Sequence, residues 1–382
     1  MSFIRRLRSQ SVCTSNTTRL ISLFLQLFTQ NIIITGTGSY IPENKTTRAD
    51  FEASVFFDPE GKQISETPLH IAQKLEEITG ITERRYVDAS QTNSDIALIA
   101  AQRAIEDAGI DKESIDVIIL AHNFGNIASG SSQVDILPSV ASRVKHGLRI
   151  QNPNCIAFDI IFGCPGWVQG LILARQYILT ENSNRILVIG AETLSRALDP
   201  FDRDSMIYGD GAAATIVEGT TTSEIRGIIS TTAQTYSFDE AYYLFCGRSN
   251  KKDTDETLYI KMHGKKIYEF ALRNVPKAMK LCLDRSGTPI DRLKKIFIHQ
   301  ANEKMDLAIL KSFYKLYGVA APENIMPMNI HKLGNSSVAT IPTLLDMVLK
   351  GQLPGHTLEK GDVILLASVG AGMNINAVTY VV

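Results

Sequence analysis

A chain of 382 residues, 44% hydrophobic and 21% charged, has the composition of a folded globular protein with length for a large core and two domain-sized halves. Its 39 Lys and Arg balance 40 Asp and Glu, with the signs mixed along the chain, which argues against a nucleic-acid-binding surface. The five cysteines, Cys13, Cys155, Cys164, Cys246 and Cys282, are odd in number, widely spaced and free of any C-x-x-C pair. That excludes a disulfide framework or zinc site as the first reading and fits a reducing compartment.

Residues 1–30 stand apart. They hold Arg5, Arg6, Arg8 and Arg19, many Ser and Thr, and no acid; the first acid is Glu43. The run LISLFLQLF is too short to cross a bilayer. The segment reads as a transit or signal leader, or as a start placed too far upstream. The expectation is a cytoplasmic bacterial enzyme with an overlong start, so the fold is read from residue 31.

From Asn31 onward, strand-like and helix-like runs alternate. NIIITGTGSYIP, from Asn31, is β-rich and ends in Gly and Pro. NSDIALIAAQRAIEDAGI, from Asn93, has helical spacing behind a capping Asn or Ser. IDVIILAHN and NCIAFDIIFG read as buried strands, then comes the helix-like GWVQGLILARQYIL and the strand-like NRILVIGAET. This rhythm predicts parallel strands covered by helices on both faces. The glycine-rich GDGAAA, Gly209 to Ala214, lacks the Walker lysine and reads as a turn into a strand.

The second half repeats the first. Gly109 pairs with Gly287, Ile115 with Leu293 and Ile118 with Ile296, all at an offset of 178. NRILVIGAE from Asn184 pairs with GDVILLASV from Gly361 at 177. Two distant segments at nearly one offset predict a duplicated unit. The break falls near residues 219–227, giving halves 31–220 and 221–382.

In IFGCPGWVQG, proline is favoured at the first helical position. Cys164 would then sit at the cap, on the positive end of the helix dipole, where a thiol ionises most readily. A buried inert cysteine is the competing reading. Shifted by 178, Cys164 lands beside HKLGNSSVATIP, so the loop near Asn335 is its counterpart. KIFIHQAN sets His299 at the carboxyl end of a strand, where open parallel sheets bind ligands. Alone, His299 reads as a strand-end histidine bonded to a carbonyl, and Asn335 as a turn or cap residue. Together with Cys164 they point to one site. Trp167 reads as core packing behind it.

Four blocks carry a resemblance: FDIIFGCPGWVQG, DPFDRDSMIYGDGAAA, IFIHQANEKM with HKLGNSSVATIP, and LLASVGAGMNINAV. With ITGTGSYIPE and GITERRY they cover nearly everything from Ile32 on, and they resemble the thiolase-fold condensing enzymes, specifically the β-ketoacyl-[acyl-carrier-protein] synthase III family. The resemblance implies an α/β thiolase fold, with duplicated βαβα halves in a five-layer αβαβα sandwich. It implies a Cys164, His299 and Asn335 site. Cys164 would take the acyl group from a thioester. His299 and Asn335 would donate hydrogen bonds where charge grows as a malonyl-type thioester loses CO₂. The backbone N–H groups of Cys164 and Ala371 would hold the tetrahedral oxyanion. The family is richer in glycine at Ala371, but only a backbone N–H is required there. The resemblance further implies no permanently bound cofactor and no metal. Coenzyme A or acyl-carrier-protein thioesters are the implied substrates, acyl carrier protein the implied partner, and a homodimer without a membrane span the implied assembly.

The chain also departs from the family. Members that use coenzyme A resemble one another in an entrance tryptophan just before the TGI motif and an arginine immediately ahead of it. Here the segment is HIAQKLEEITGITERRY; Ile78 precedes Thr79, and Trp167 is the chain's only tryptophan. SVFFDPEGKQISETPLHIAQ is longer than the usual connection, and FEASVFF offers a lid. Arg203 matches an arginine that stacks at the adenine end, and Lys304 a basic residue for carrier or phosphates. The altered mouth favours a carrier-protein donor and a relative in lipid-like secondary metabolism, joining two chains as in aryl-polyene or dialkylresorcinol-type pathways; housekeeping fatty-acid initiation competes. Acyl transfer to a hydroxyl or amine would keep Cys164 and His299 without needing Asn335. A non-catalytic partner subunit would dispense with Cys164. A hydroxymethylglutaryl-type synthase would need a glutamate, for which Glu83 is the nominee, although it reads more simply as a surface ion pair.

Overall fold

The computed structural model describes residues 29–180, 182–254 and 256–382. Residues 1–28 of the leader-like segment lie outside the described residues; its last two residues open the first strand. The strands are β1 (Thr29–Tyr40), β2 (Asn44–Thr47), β3 (Glu83–Tyr86), β4 (Val117–Ala121), β5 (Ile156–Ile160), β6 (Arg185–Glu192), β7 (Gly211–Thr222), β8 (Gly227–Thr235), β9 (Leu244–Gly247), β10 (Tyr259–Met262), β11 (Leu293–Ile298), β12 (Val363–Gly370) and β13 (Asn374–Val381). The helices are α1 (Pro68–Thr79), α2 (Asn93–Ala108), α3 (Val140–Leu148), α4 (Gly166–Leu179), α5 (Gly264–Arg285), α6 (Glu303–Lys315), α7 (Ile330–Leu333) and α8 (Thr340–Leu349).

Nine strands run in the order β11-β12-β13-β8-β1-β7-β6-β4-β5. One parallel bridge, Ile32 with Gly227, joins β1 to β8, so the array divides there into a five-stranded and a four-stranded sheet. Side-chain alternation sorts each strand between two cores. Val117, Ile119, Ile186 and Val188 of the first sheet and Phe297, Ile364, Leu366 and Val378 of the second face a shared core filled by α4 and α8, with Trp167 buried in it. Ile118, Leu120, Leu187 and Ile189 point the other way, onto α2 and α3. Ile296, Ile298, Leu365 and Ala367 point onto α5 and α6. The layers are therefore α2/α3, sheet, α4/α8, sheet, α5/α6: the expected αβαβα sandwich. Strands buried on both faces need unbroken apolar runs, which is why VIILA and VILLASVG read as they do.

Three expectations need correction. The sheets are mixed: β4 pairs parallel with β5 and β6, and β11 with β12, but β1, β7, β8 and β13 pair antiparallel. Only three residues separate β12 from β13, too few for a parallel crossover. The cap of α2 is Thr92, whose side chain and Asp95 form a capping box, rather than Asn93 or Ser94. The second repeat offset is 178, not 177. Ile118 pairs with Leu187 and Ile296 with Leu365, and both members of the second pair lie 178 beyond those of the first. Gly109 and Gly287, also 178 apart, both adopt left-handed φ, at 63° and 69°.

The hairpin β9–β10 is tied to the segment 199–204 by a buried cation. Lys261 Nζ lies 2.6 Å from Asp199 Oδ2, 2.9 Å from Asp202 Oδ2 and 2.7 Å from Asn250 Oδ1, with Asp199 fully buried. Burial works against the Asp199 carboxylate, but Lys261 and the N–H groups of Asn250 and Phe201 outweigh it and hold its pKa below the ordinary range. Lys261→Ala is expected to destabilise the fold by about 3–5 kcal/mol, because it strands a buried charge. Asp199 stabilisation is present above its unfolded pKa and is lost as pH falls through the depressed folded one. Denaturant melts should therefore show the variant's deficit shrinking towards acid pH.

Candidate active site

Strand β5 ends at Ile160 and α4 begins at Gly166; Cys164 stands in the loop between. Gly163 turns this loop with a φ of +67°, a conformation open to glycine at no steric cost. The β12–β13 turn packs against it: a Cβ on Gly163 would lie 2.7 Å from Ala371 N. Conversely, a Cβ on Gly370 would lie 2.5 Å from Cys164 N. Two glycines thus let the loops touch backbone to backbone and set Ala371 beside the Cys164 loop. Asn374 Nδ2 donates to Ala371 O at 2.8 Å and to Phe162 O at 3.3 Å, tying the two loops together.

The cap residue of α4 is Pro165, with φ −68° and ψ −1°, so Cys164 lies one residue ahead of the cap rather than on it. Dense surroundings push the thiol up to about 11; the Ser337 hydroxyl pulls the other way, and the Glu192 carboxylate adds to the rise. The helix end therefore does not make the resting side chain a thiolate.

Asn335 follows α7 and is almost fully buried. Its N–H donates to Ile207 O and its carbonyl accepts from Gly209 N, both at 2.9 Å. Its side-chain Oδ1 accepts from Ser337 N at 2.8 Å. Ser337 takes a left-handed φ of +52°, and its hydroxyl donates to Cys164 Sγ at 3.3 Å. One short turn thus connects Asn335 to the cysteine.

His299 follows β11 and is buried, its N–H donating to Ala367 O on β12 at 2.9 Å. Burial pushes the imidazole down to about 4, so it is neutral at physiological pH. Its Nδ1 is buried with no hydrogen-bond partner among the described residues. The next residue, Gln300, is fully buried and accepts from Asn329 N and Ile330 N at 3.0 Å each. The His-Gln pair therefore sets an imidazole at the strand end and pins the start of α7, the helix that leads into Asn335.

Three further residues belong to this cluster, and the sequence reading did not single them out. Asn123 N and Nδ2 donate to Glu192 Oε1 at 2.7 and 2.6 Å, and Nδ2 also donates to Ser337 Oγ at 3.1 Å. Glu192 is fully buried, and burial raises its pKa to about 7.

A cavity of about 410 Å³ opens nearby, lined by Leu75, Ile78, Ile207 and Ala301 among others, with Arg203 at its edge. Ile207 accepts the Asn335 N–H, and Ala301 lies two residues past His299, so the cavity ends next to the cluster. Arg203 is exposed and also borders a second cavity of about 480 Å³, with Phe57 and Phe245. Lys304 is exposed on the first turn of α6 and is absent from the lining of the first cavity, although Asn302 and Met305 are part of it. The lid segment is anchored: Phe56 is buried with Ile71 and Met206, Phe57 N donates to Phe201 O at 2.9 Å, and the two phenyl rings meet edge to face at 5.9 Å. Glu83 is ion-paired with Lys45 and, at 2.9 Å, with Arg85.

The five-layer αβαβα sandwich is the architecture of the thiolase-type condensing enzymes. The sequence profile of 3-oxoacyl-[acyl-carrier-protein] synthase III matches residues 158–237, and that of its C-terminal part matches residues 283–382. The chain is 33% identical over 340 residues to β-ketoacyl-[acyl-carrier-protein] synthase III 1 of Vibrio vulnificus, covering 89% of this chain and 96% of that protein. It is 32% identical over 351 residues to the β-ketoacyl-[acyl-carrier-protein] synthase III of Staphylococcus aureus, covering 91% and 98%. The crystal structure of 3-oxoacyl-[acyl-carrier-protein] synthase III from Aquifex aeolicus VF5 superposes with a TM-score of 0.75 at 28% identity, covering 92% of this chain and 100% of that one. The chain belongs to the β-ketoacyl-[acyl-carrier-protein] synthase III family, and it is a condensing transferase of that family.

Proposed function

We propose that Cys164 carries the acyl group in a decarboxylative Claisen condensation. In the first step Sγ attacks the carbonyl of an acyl thioester, the donor thiol leaves, and Cys164 loses its proton to the departing sulfur. In the second step a malonyl-type thioester loses CO₂ from the carboxylate beyond its α-carbon, and the enolate carbon left behind attacks the acyl carbonyl. A carbon–carbon bond forms, the Cys164 thioester breaks, and the thiol is restored by a proton from solvent. The N–H groups of Cys164 and Ala371, brought together by Gly163 and Gly370, are the donors for the tetrahedral oxyanion.

One observation carries the reading: Asn335 Oδ1 is taken by Ser337 N. The amide can then present only its NH₂ to the site, which is the polarity a developing enolate oxygen needs. The uncharged His299 imidazole supplies the second donor without placing a fixed charge there. A transferase acting on hydroxyls or amines has no use for this fixed pair.

The 410 Å³ cavity, apolar inside with Arg203 and Lys265 at its lining, takes the thioester arm in this reading. Ile78 lines it at the position where the coenzyme-A-using pattern has an arginine. That supports acyl carrier protein as the acyl donor and a role in joining lipid-like chains. The deciding assay follows intact mass after mixing with acyl-coenzyme A or acyl-carrier protein, then CO₂ release with malonyl-carrier protein. A one-acyl gain followed by equimolar CO₂ and a β-ketoacyl product is expected. Acyl loading with transfer to a hydroxyl or amine and no CO₂ would overturn the condensation.

A second copy of the chain is proposed as partner, supported by the edge strand β5 at one end of the nine-strand order. An open edge offers unpaired N–H and C=O groups; Ile161, the residue after β5, is 69% exposed, and Leu137, just ahead of the α3 start that Asp159 of β5 holds, is 87% exposed. Sedimentation equilibrium should give a dimer. The double variant Ile161→Asp/Leu137→Asp should shift it to monomer by burying charge at the join; a monomeric wild type would refute the assignment.

A further inference from the structure

We propose that Glu192 and Asn123 are positioning residues for Cys164: they lock the Ser337 hydroxyl so that its proton points at the Cys164 sulfur. The inference rests on the reading of Cys164 as the reacting thiol, but its test uses no acyl substrate.

The geometry begins in the sheet. Strands β4 and β6 run parallel, with Ala121 beside Gly190. Two residues further on, the chain places Asn123 beside Glu192 at the same level of the strand ends. Glu192 Oε1 accepts both the backbone and the side-chain N–H of Asn123. In the alkaline range where the thiol titrates Glu192 is ionised, and a carboxylate only accepts, so it fixes which end of the Asn123 amide faces it: the NH₂ end. The second hydrogen of that NH₂ goes to Ser337 Oγ. A hydroxyl has a single proton. With a lone pair occupied by Asn123, that proton is directed to Sγ at 3.3 Å. Ser337 has little freedom to turn away, because its N–H is held by Asn335 and its φ is left-handed. Donation thus runs outward from Asn123, one way into Glu192 and the other through Ser337 to Cys164.

Burial makes this arrangement expensive unless it serves the site. Glu192 Oε2 is buried with no hydrogen-bond partner among the described residues, a cost that an apolar side chain at this position would avoid. The carboxylate also acts on the thiol through space, opposing the thiolate. Orientation and charge therefore push Cys164 in opposite directions, and substitution separates them. The other titratable groups facing the pair are His122 and Asp210 beside Glu192 and Tyr208 beside Cys164; His122 is itself held by Asp159 at 3.0 Å.

The test is the pH dependence of iodoacetamide alkylation of Cys164 in the full-length protein, read by peptide mass, with thermal melting as a folding control. Ser337→Ala and Asn123→Ala should each raise the alkylation midpoint by roughly one pH unit, about a tenfold slower reaction below it. The double variant should shift no further than Ser337→Ala alone, because both act through one hydroxyl. Glu192→Gln keeps an acceptor for Asn123 and removes the charge, so the midpoint should fall. Opposite shifts from neighbours in one chain are not produced by a loosened fold. A wild-type midpoint in Asn123→Ala beside a raised one in Ser337→Ala, additive shifts in the double variant, or a raised midpoint in Glu192→Gln would each overturn the proposal. Should Asn123→Ala fail to fold, Asn123→Leu, which restores the side-chain volume without the amide, is read in its place.

Discussion

Cys164→Ala is expected to show no acyl mass gain with any donor and to lose condensation by on the order of 10⁴-fold or more, the scale seen when a covalent nucleophile is removed. The fold should survive, since Cys164 is a loop residue and the Gly163 and Gly370 contacts that seat it are backbone contacts. The Asn335 turn survives as well, because Ser337 N donates to Asn335 and not to the sulfur. Slow decarboxylation of malonyl-carrier protein should therefore persist in the variant. That split, loading lost and CO₂ release kept, separates a nucleophile from a residue that merely shapes the pocket. Cys246 is exposed and free, and Cys13 lies outside the described residues, so a Cys13→Ser/Cys246→Ser background removes adventitious acylation of these two thiols from the mass spectrum. An acyl gain that persists in Cys164→Ala on this background would place the nucleophile elsewhere and sink the assignment.

Helices on both faces of the sheets could be read from the sequence, because apolar runs such as VIILA and VILLASVG suit strands covered on both faces; the five-layer order followed from the family resemblance. Duplication was equally legible, although the offset read as 177 for its second segment is 178, as the pairing of Ile118 with Leu187 and of Ile296 with Leu365 shows. Strand direction was misread. The alternating rhythm of runs says nothing about direction, and the sign that β13 must run back lies in the shortness of the Ala371–Met373 turn. The cap of α2 was misplaced by one residue because Thr92, Asn93 and Ser94 are all good caps. Asp95, three residues after Thr92, decides among them.

Motif and strand-end position identify Cys164, His299 and Asn335 as candidates, but they reveal little of what acts on the sulfur. Asn123 and Glu192 are polar residues closing hydrophobic strands, a pattern too common to single out. Their meeting was nonetheless encoded in the parallel register of β4 and β6. Ser337 comes from the other half of the chain, and its approach to Cys164 depends on how the halves pack. The expectation that a helix end would activate the thiol gave burial too little weight: desolvation acts on the whole side chain, and Pro165 sets the sulfur a residue outside the cap.

Asn335→Asp provides the complementary result. The substitution is nearly isosteric, and one carboxylate oxygen can keep the hydrogen bond from Ser337 N that shapes the turn. The other oxygen replaces the NH₂ that the enolate requires and brings a negative charge to the place where negative charge must grow. Loss of one such donor costs about 10²–10³-fold, and an opposing charge adds to that loss. Acyl loading of Cys164 should persist, since Asn335 has no part in the first step, while CO₂ release and condensation collapse together. The site is buried, so the introduced carboxyl should titrate above the ordinary carboxylate range. As pH falls through that raised value the carboxyl gains a proton and becomes a donor, and part of the lost rate should return. Asn335→Ala, which has neither charge nor proton to gain, should show no such recovery. Wild-type condensation in Asn335→Asp at neutral pH would remove the amide from the chemistry and leave the decarboxylation to His299 alone.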